Sequence, residues 1–151
     1  MSRASRPLLV ALALTSVLGV AACGDKKLSK ADYIAKVDPI CKKYSDQSNA
    51  IPEPKTTDNT ALSGYYVQLA DLADKQTKEI DDVGRPKEGK AQIDDLLKRQ
   101  QDQIGQLRQL ADALKANDQA KANQIGTAAE PAGQKIDSDL KAYGFKVCGS
   151  E

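Results

Sequence analysis

Apolar residues recur at three- and four-residue steps in four separate segments of this chain, and glycine, proline or short polar turns separate the segments. That period belongs to amphipathic helices, whose apolar stripe must be buried against a neighbour. No segment alternates with the period of a strand, and no repeat of solenoid length is present. The first stripe comprises Tyr33, Val37, Ile40 and Tyr44, with Ser29 and Asp32 placed to start the helix. Pro39 interrupts it, which predicts either a kink or a fresh helix capped by Asp38.

A polar loop from 51 to 59, carrying Pro52 and Pro54, precedes a second helix expected to begin near Asn59 or Thr60. Its stripe is Leu62, Tyr66, Leu69, Ala73, Ile80 and Val83, and Gly84-Arg85-Pro86 should stop it, glycine supplying a left-handed cap. The third helix is expected from about Lys87 to Lys115, buried through Ile93, Leu96, Leu97, Ile104 and Leu107. Asn117 and Asp118 read as a turn and cap for the fourth, which contains Pro131 and ends at Gly144. The chain has no tryptophan and one phenylalanine, so aliphatic side chains must build the core. Four helices of similar length with mostly short connections should pack antiparallel, as an all-α up-down-up-down four-helix bundle.

The N-terminus has a different character. Arg3 and Arg6 precede an apolar run from Leu8 to Val20, about a dozen residues long. A membrane span needs roughly 20, whereas a secretory signal needs no more than this. Ala21 and Ala22 are small enough for a peptidase site, and Cys23 follows at once. Val20-Ala21-Ala22-Cys23 resembles the lipobox of bacterial lipoproteins, in which the thiol receives a diacylglyceryl group and becomes the mature N-terminus. The resemblance implies lipidation at Cys23 and a protein anchored on the extracytoplasmic face of the cell membrane. The expected organisation is a signal peptide over 1–22, a lipidated tether over 23–28 and the bundle domain over 29–151.

Removing Cys23 from the count leaves Cys41 and Cys148, an even pair in an oxidising compartment, and predicts a disulfide between them. Closing a loop of about 100 residues contributes at most about 4.7 kcal/mol through chain entropy. Cys41 lies about twelve residues into the first helix, or about 18 Å at 1.5 Å per residue. The tail after Tyr143 reaches roughly 16 Å when straight, so it should run back along the bundle, extended and packed by Phe145 and Val147.

Charge and composition close several functional routes. Two of the 22 basic residues lie in the signal, leaving 20 against 21 acidic, with both signs interspersed and no nucleic-acid footprint. The chain has no histidine, which removes Ser-His-Asp and Cys-His nucleophiles, imidazole-dependent zinc sites and the Glu-x-x-His motif of di-metal bundles. Ser138-Asp139-Leu140-Lys141 matches S-x-x-K but lacks the companion motifs of penicillin-binding enzymes. Asp81-Asp82 and Asp94-Asp95 are helix neighbours about 100° apart and read as solvated faces. No catalytic residue, metal or cofactor is expected.

Ala31-Asp32-Tyr33-Ile34 and Ile40-Cys41-Lys42-Lys43, together with Tyr143-Gly144-Phe145-Lys146-Val147-Cys148-Gly149, resemble the cysteine neighbourhoods of small, uncharacterised lipoproteins of actinobacteria. That resemblance implies an envelope location and a shared disulfide, and supplies no catalytic residues. The leading expectation is a membrane-tethered, non-catalytic interaction or accessory protein with an envelope protein as partner. The alternative is a small-molecule binding module with a pocket between helices. Gln100 falls on an apolar stripe between Leu97 and Ile104, and Gln76 holds a similar place in the second helix. Counting inward from the turns puts Pro39, Pro131, Gly105 and Gly133 at one height, with Tyr44, Tyr66, Gln100 and Ile104 as the candidate pocket walls.

Overall fold

The computed structural model describes residues 28–55 and 57–150. Four helices follow in order: α1 (Lys30–Asn49), α2 (Asn59–Asp82), α3 (Lys90–Lys115) and α4 (Gln119–Tyr143). They run up, down, up and down, each packed on its sequence neighbour. The signal, Cys23 and all of the expected tether except Leu28 lie outside the described residues.

Local chemistry sets the helix ends. Ser29 Oγ accepts from the Asp32 amide at 3.1 Å, Asp58 accepts from Thr60 and Asp118 accepts from Lys121; each satisfies an amide that has no partner inside its helix. Gly84 and Gly144 take left-handed conformations just after α2 and α4. The third helix starts at Lys90 rather than Lys87. Gly89 precedes it with φ +74°, and a Cβ there would lie 2.7 Å from Tyr143 Cε2. Tyr143 also donates its hydroxyl to the Glu88 carbonyl at 3.1 Å, so the end of α4 holds the α2–α3 turn in shape.

That turn is latched on its other side as well. Arg85 donates to Asp81 at 2.5 Å and to Asp94 at 2.6 Å, joining the end of α2 to the start of α3. One aspartate of each acidic pair therefore converges on a shared arginine, and the pairs are not simply solvated faces. The Lys87 amide donates to the Leu28 carbonyl at 2.8 Å, and Leu28 packs partly buried against the core. Leu28 thus belongs to the domain rather than to a free tether.

Pro39 and Pro131 both sit within continuous helices. Asp38 caps no new helix; its carboxylate turns to the C-terminal tail. The backbone amides of Lys146, Val147 and Cys148 all donate to it, at 3.1 to 3.3 Å. Three consecutive amides reach one carboxylate only if the chain curls, because successive amides of a straight strand point to opposite sides. The tail is accordingly a compact turn, closed by Ser150 donating to the Val147 carbonyl, and not the extended segment expected from its reach.

The same turn carries the disulfide. Cys41 and Cys148 are joined with their Cα atoms 5.3 Å apart, inside the ordinary range for such bonds. The backbones of α1 and α4 stay apart and touch through Lys30, whose ammonium lies over the Tyr143 ring at 4.4 Å; the tail fills the space between them beyond that contact. Phe145 is buried there, stacked on Tyr143 at 5.3 Å and edge-on to Tyr33 at 6.1 Å. Gly149, with φ +76°, rests on α4 where a Cβ would lie 2.8 Å from the Asp137 carbonyl oxygen. The larger core collects here, with Tyr33, Val37, Ile80, Leu96 and Ile136 beneath the tail. A smaller cluster of Ala113, Leu114 and Ala122 lies at the opposite end, without α1.

Replacing Asp38 by Ala strands three tail amides and should cost about 2 kcal/mol, the order of a hydrogen-bonded charged group. Asp38→Asn, which keeps an acceptor, should cost less. Urea unfolding of the oxidised protein measures both; an unchanged midpoint for Asp38→Ala would remove the carboxylate from this account.

Candidate functional site

Successive turns of the antiparallel helices stack the upper core in layers. Tyr33 and Ile93 come first, at the end that holds the α2–α3 turn, followed by Val37, Ile80 and Leu96, and then by Cys41, Gln76 and Gln100. The sequence spacing of three or four residues between these members is one helical turn. In the third layer the aliphatic stripe is broken on two adjacent helices at once. A half-enclosed cavity of about 140 Å³ occupies these layers.

Its walls come from every helix. α1 provides Tyr33, Val37 and Cys41; α2 provides Gln76 and Ile80; α3 provides Ile93, Leu96, Leu97 and Gln100. α4 contributes Ile136, Asp137 and Leu140, and the tail closes the site with Phe145, Cys148 and Gly149. Gln76 and Gln100 make no hydrogen bond to another side chain or to backbone among the described residues, and Asp137 forms no ion pair there. No lysine or arginine lines the cavity. A wall made mostly of apolar residues thus also carries Gln76, Gln100 and Asp137, one from each of α2, α3 and α4.

The four residues expected to wall a pocket are not brought together. Gln100 lines the cavity. Ile104 is buried at 3 % exposure one turn further along α3 and does not border it. Tyr44 instead donates to Glu79 at 3.0 Å, beside a Lys43–Glu79 ion pair at 2.6 Å. The Lys43 and Tyr44 hydrogen bonds hold the Glu79 carboxyl below its ordinary range. Tyr66 lies toward the opposite end, edge-on to Tyr65, in an open groove with Leu62, Leu110 and Leu114.

The displacement has a physical cause. Counting from the turns assumes that four helices close around a common axis, whereas beyond the Lys30–Tyr143 contact the tail is interposed between α1 and α4. Pro39 and Pro131 are exposed and line neither this cavity nor the groove at Tyr66. Tyr33, Phe145 and Gly149 were not legible as wall residues because the curled tail brings them in. Gln76 carried the same signal as Gln100, a polar residue on an apolar stripe.

Ser138 and Lys141 are both exposed on α4, while Asp139 pairs with Arg99 and Lys135. Asp95 pairs with Arg99 at 2.8 Å. Among the described residues no group of three or more His, Cys, Asp or Glu could hold a metal ion. Comparison of the chain with protein-family models, with curated proteins and with solved structures gives no match.

Tyr33 is wholly buried, and burial pushes its phenol up from 10.0 to about 12, against the lowering influence of Arg85. The folded state then holds this proton more tightly than the unfolded chain. Its contribution to stability is complete below pH 10 and is lost as pH rises toward about 12. An ultraviolet titration should show a late-ionising tyrosine that disappears in Tyr33→Phe; an unchanged alkaline end in that variant would contradict the assignment.

Proposed function

We propose that the chain is a lipid-anchored lipoprotein of the extracytoplasmic membrane face, acting as a non-catalytic interaction or accessory protein of the cell envelope. The observation that carries this reading is the fate of the cysteines. The fold joins Cys41 to Cys148, so Cys23 is the single cysteine left over, and it follows Val20-Ala21-Ala22 behind a short apolar run. A buried structural disulfide also suits an oxidising compartment. No helix among the described residues is long and apolar enough to cross a membrane.

A diacylglyceryl group would provide what such a chain needs. Each buried CH₂ contributes about 0.8 kcal/mol, and two chains anchor stably where one is marginal. The absence of histidine from the whole sequence favours a role through binding over the common nucleophilic and imidazole–metal mechanisms. The cavity beneath the tail favours a second reading, a small-molecule binding module held at the same membrane.

Mass spectrometry of the protein recovered from native membranes should find acyl mass on an N-terminal Cys23. Cys23→Ala should accumulate as uncleaved precursor. A mature protein without acyl mass that partitions wholly into the aqueous phase would overturn the anchoring. Cross-linking in intact membranes should recover a stable protein partner if the leading reading holds.

A further inference from the structure

The geometry points to the cavity beneath the tail as a binding site for a small, uncharged amphiphile, with a ring-sized apolar body and one head group that both donates and accepts hydrogen bonds. This rests on the second of the two functional readings and specifies the ligand. Size sets the first limit. The space is about 140 Å³, and an apolar cavity of about 150 Å³ admits benzene. A single ring or a short branched chain fits, whereas a lipid or a nucleotide does not.

The polar border sets the second limit. Gln76 on α2 and Gln100 on α3 border the same space with both amides unpartnered among the described residues. Each amide offers an acceptor oxygen and two donor hydrogens. Both side chains are half-buried and no buried side-chain nitrogen or oxygen among the described residues lacks a partner, so water reaches these amides, and a ligand that displaces it must replace its hydrogen bonds. A carboxamide or hydroxyl meets both functions at once, while a bare hydrocarbon satisfies neither. Charge sets the third limit. No lysine or arginine lines the space and Asp137 does, so an anionic head would enter beside a like charge with no counter-ion.

The apolar end is rigid. Tyr33 is fully buried, Val37 nearly so, and the Cys41–Cys148 disulfide fixes the wall at the level of the glutamines. A preformed pocket avoids the cost of ordering its walls on binding.

Calorimetric titration of the oxidised full chain with benzamide, toluene and benzoate tests this directly. Benzamide should bind saturably and more tightly than toluene, and benzoate should bind least. The volume-conserving double variant Gln76→Met with Gln100→Met should weaken benzamide by about tenfold, as one or two neutral hydrogen bonds would, and should not weaken toluene, which no longer has to desolvate the two amides. Circular dichroism melts of the variant verify that it is folded. Benzamide shifts of side-chain amide signals in a nuclear magnetic resonance spectrum should fall on Gln76 and Gln100. Toluene binding as tight as benzamide, insensitive to both glutamines, would overturn the ligand class while leaving a binding module. Absence of saturable binding by benzamide and toluene alike would overturn the site and the second reading together.

Discussion

The attachment of the C-terminal tail to the middle of α1 organises the rest of the molecule. One covalent link and one carboxylate act on the same short turn. Cys148 is tied to Cys41, and Asp38, one turn earlier in α1, gathers the three amides that precede and include Cys148. Without that attachment α1 and α4, whose backbones stay apart, would meet through little more than Lys30 lying over the Tyr143 ring at 4.4 Å. Tyr33 and Tyr143 would both lose the Phe145 ring that packs on them. Closing a loop of 107 residues restricts the unfolded chain, by about 4.7 kcal/mol at most in the entropic account. The carboxylate adds direction, holding the turn in the curled shape that seats Phe145.

A wedge of backbone cannot fill the space of a helix evenly. Phe145 covers the layer of Tyr33 and Tyr143, while further along α1 the tail lines the cavity with Cys148 and Gly149 alone. Gly149 must be small there because it lies against the backbone of α4. The cavity opens at that level, where the core also changes from aliphatic side chains to Gln76 and Gln100. Cavity, disulfide and unpartnered amides are therefore consequences of one arrangement. The membrane anchor proposed for Cys23 is separate from it in the chain and does not depend on it.

The helices were legible because their signals are local. Ser29, Asp58 and Asp118 cap the helices that follow them, Gly84 and Gly144 end the ones before, and the stripes repeat within each segment. The disulfide was legible through parity. The start of α3 was misplaced because Gly89 owes its conformation to Tyr143, 54 residues away in the chain. Asp38 looked like a helix cap because a proline follows it; its actual partners are more than 100 residues downstream. The pocket was placed too far from the tail, since counting inward treats the connection between α1 and α4 as an ordinary helix contact. Gln100 stood out as a polar interruption of a stripe, but Tyr33 and Phe145 look like any other core aromatics until the curled tail is known.

The most direct measurement of the tail's role is hydrogen exchange at the Val147 and Cys148 amides, followed in the oxidised protein and in Cys41→Ser with Cys148→Ser. If the turn is clamped as described, both amides in the oxidised protein exchange only as slowly as the helix core opens. In the double serine variant their protection should fall well below that of α2 and α3, which keep their own packing. Free exchange of Val147 and Cys148 in the oxidised protein would contradict the account, because a tail open to water cannot hold the space between α1 and α4.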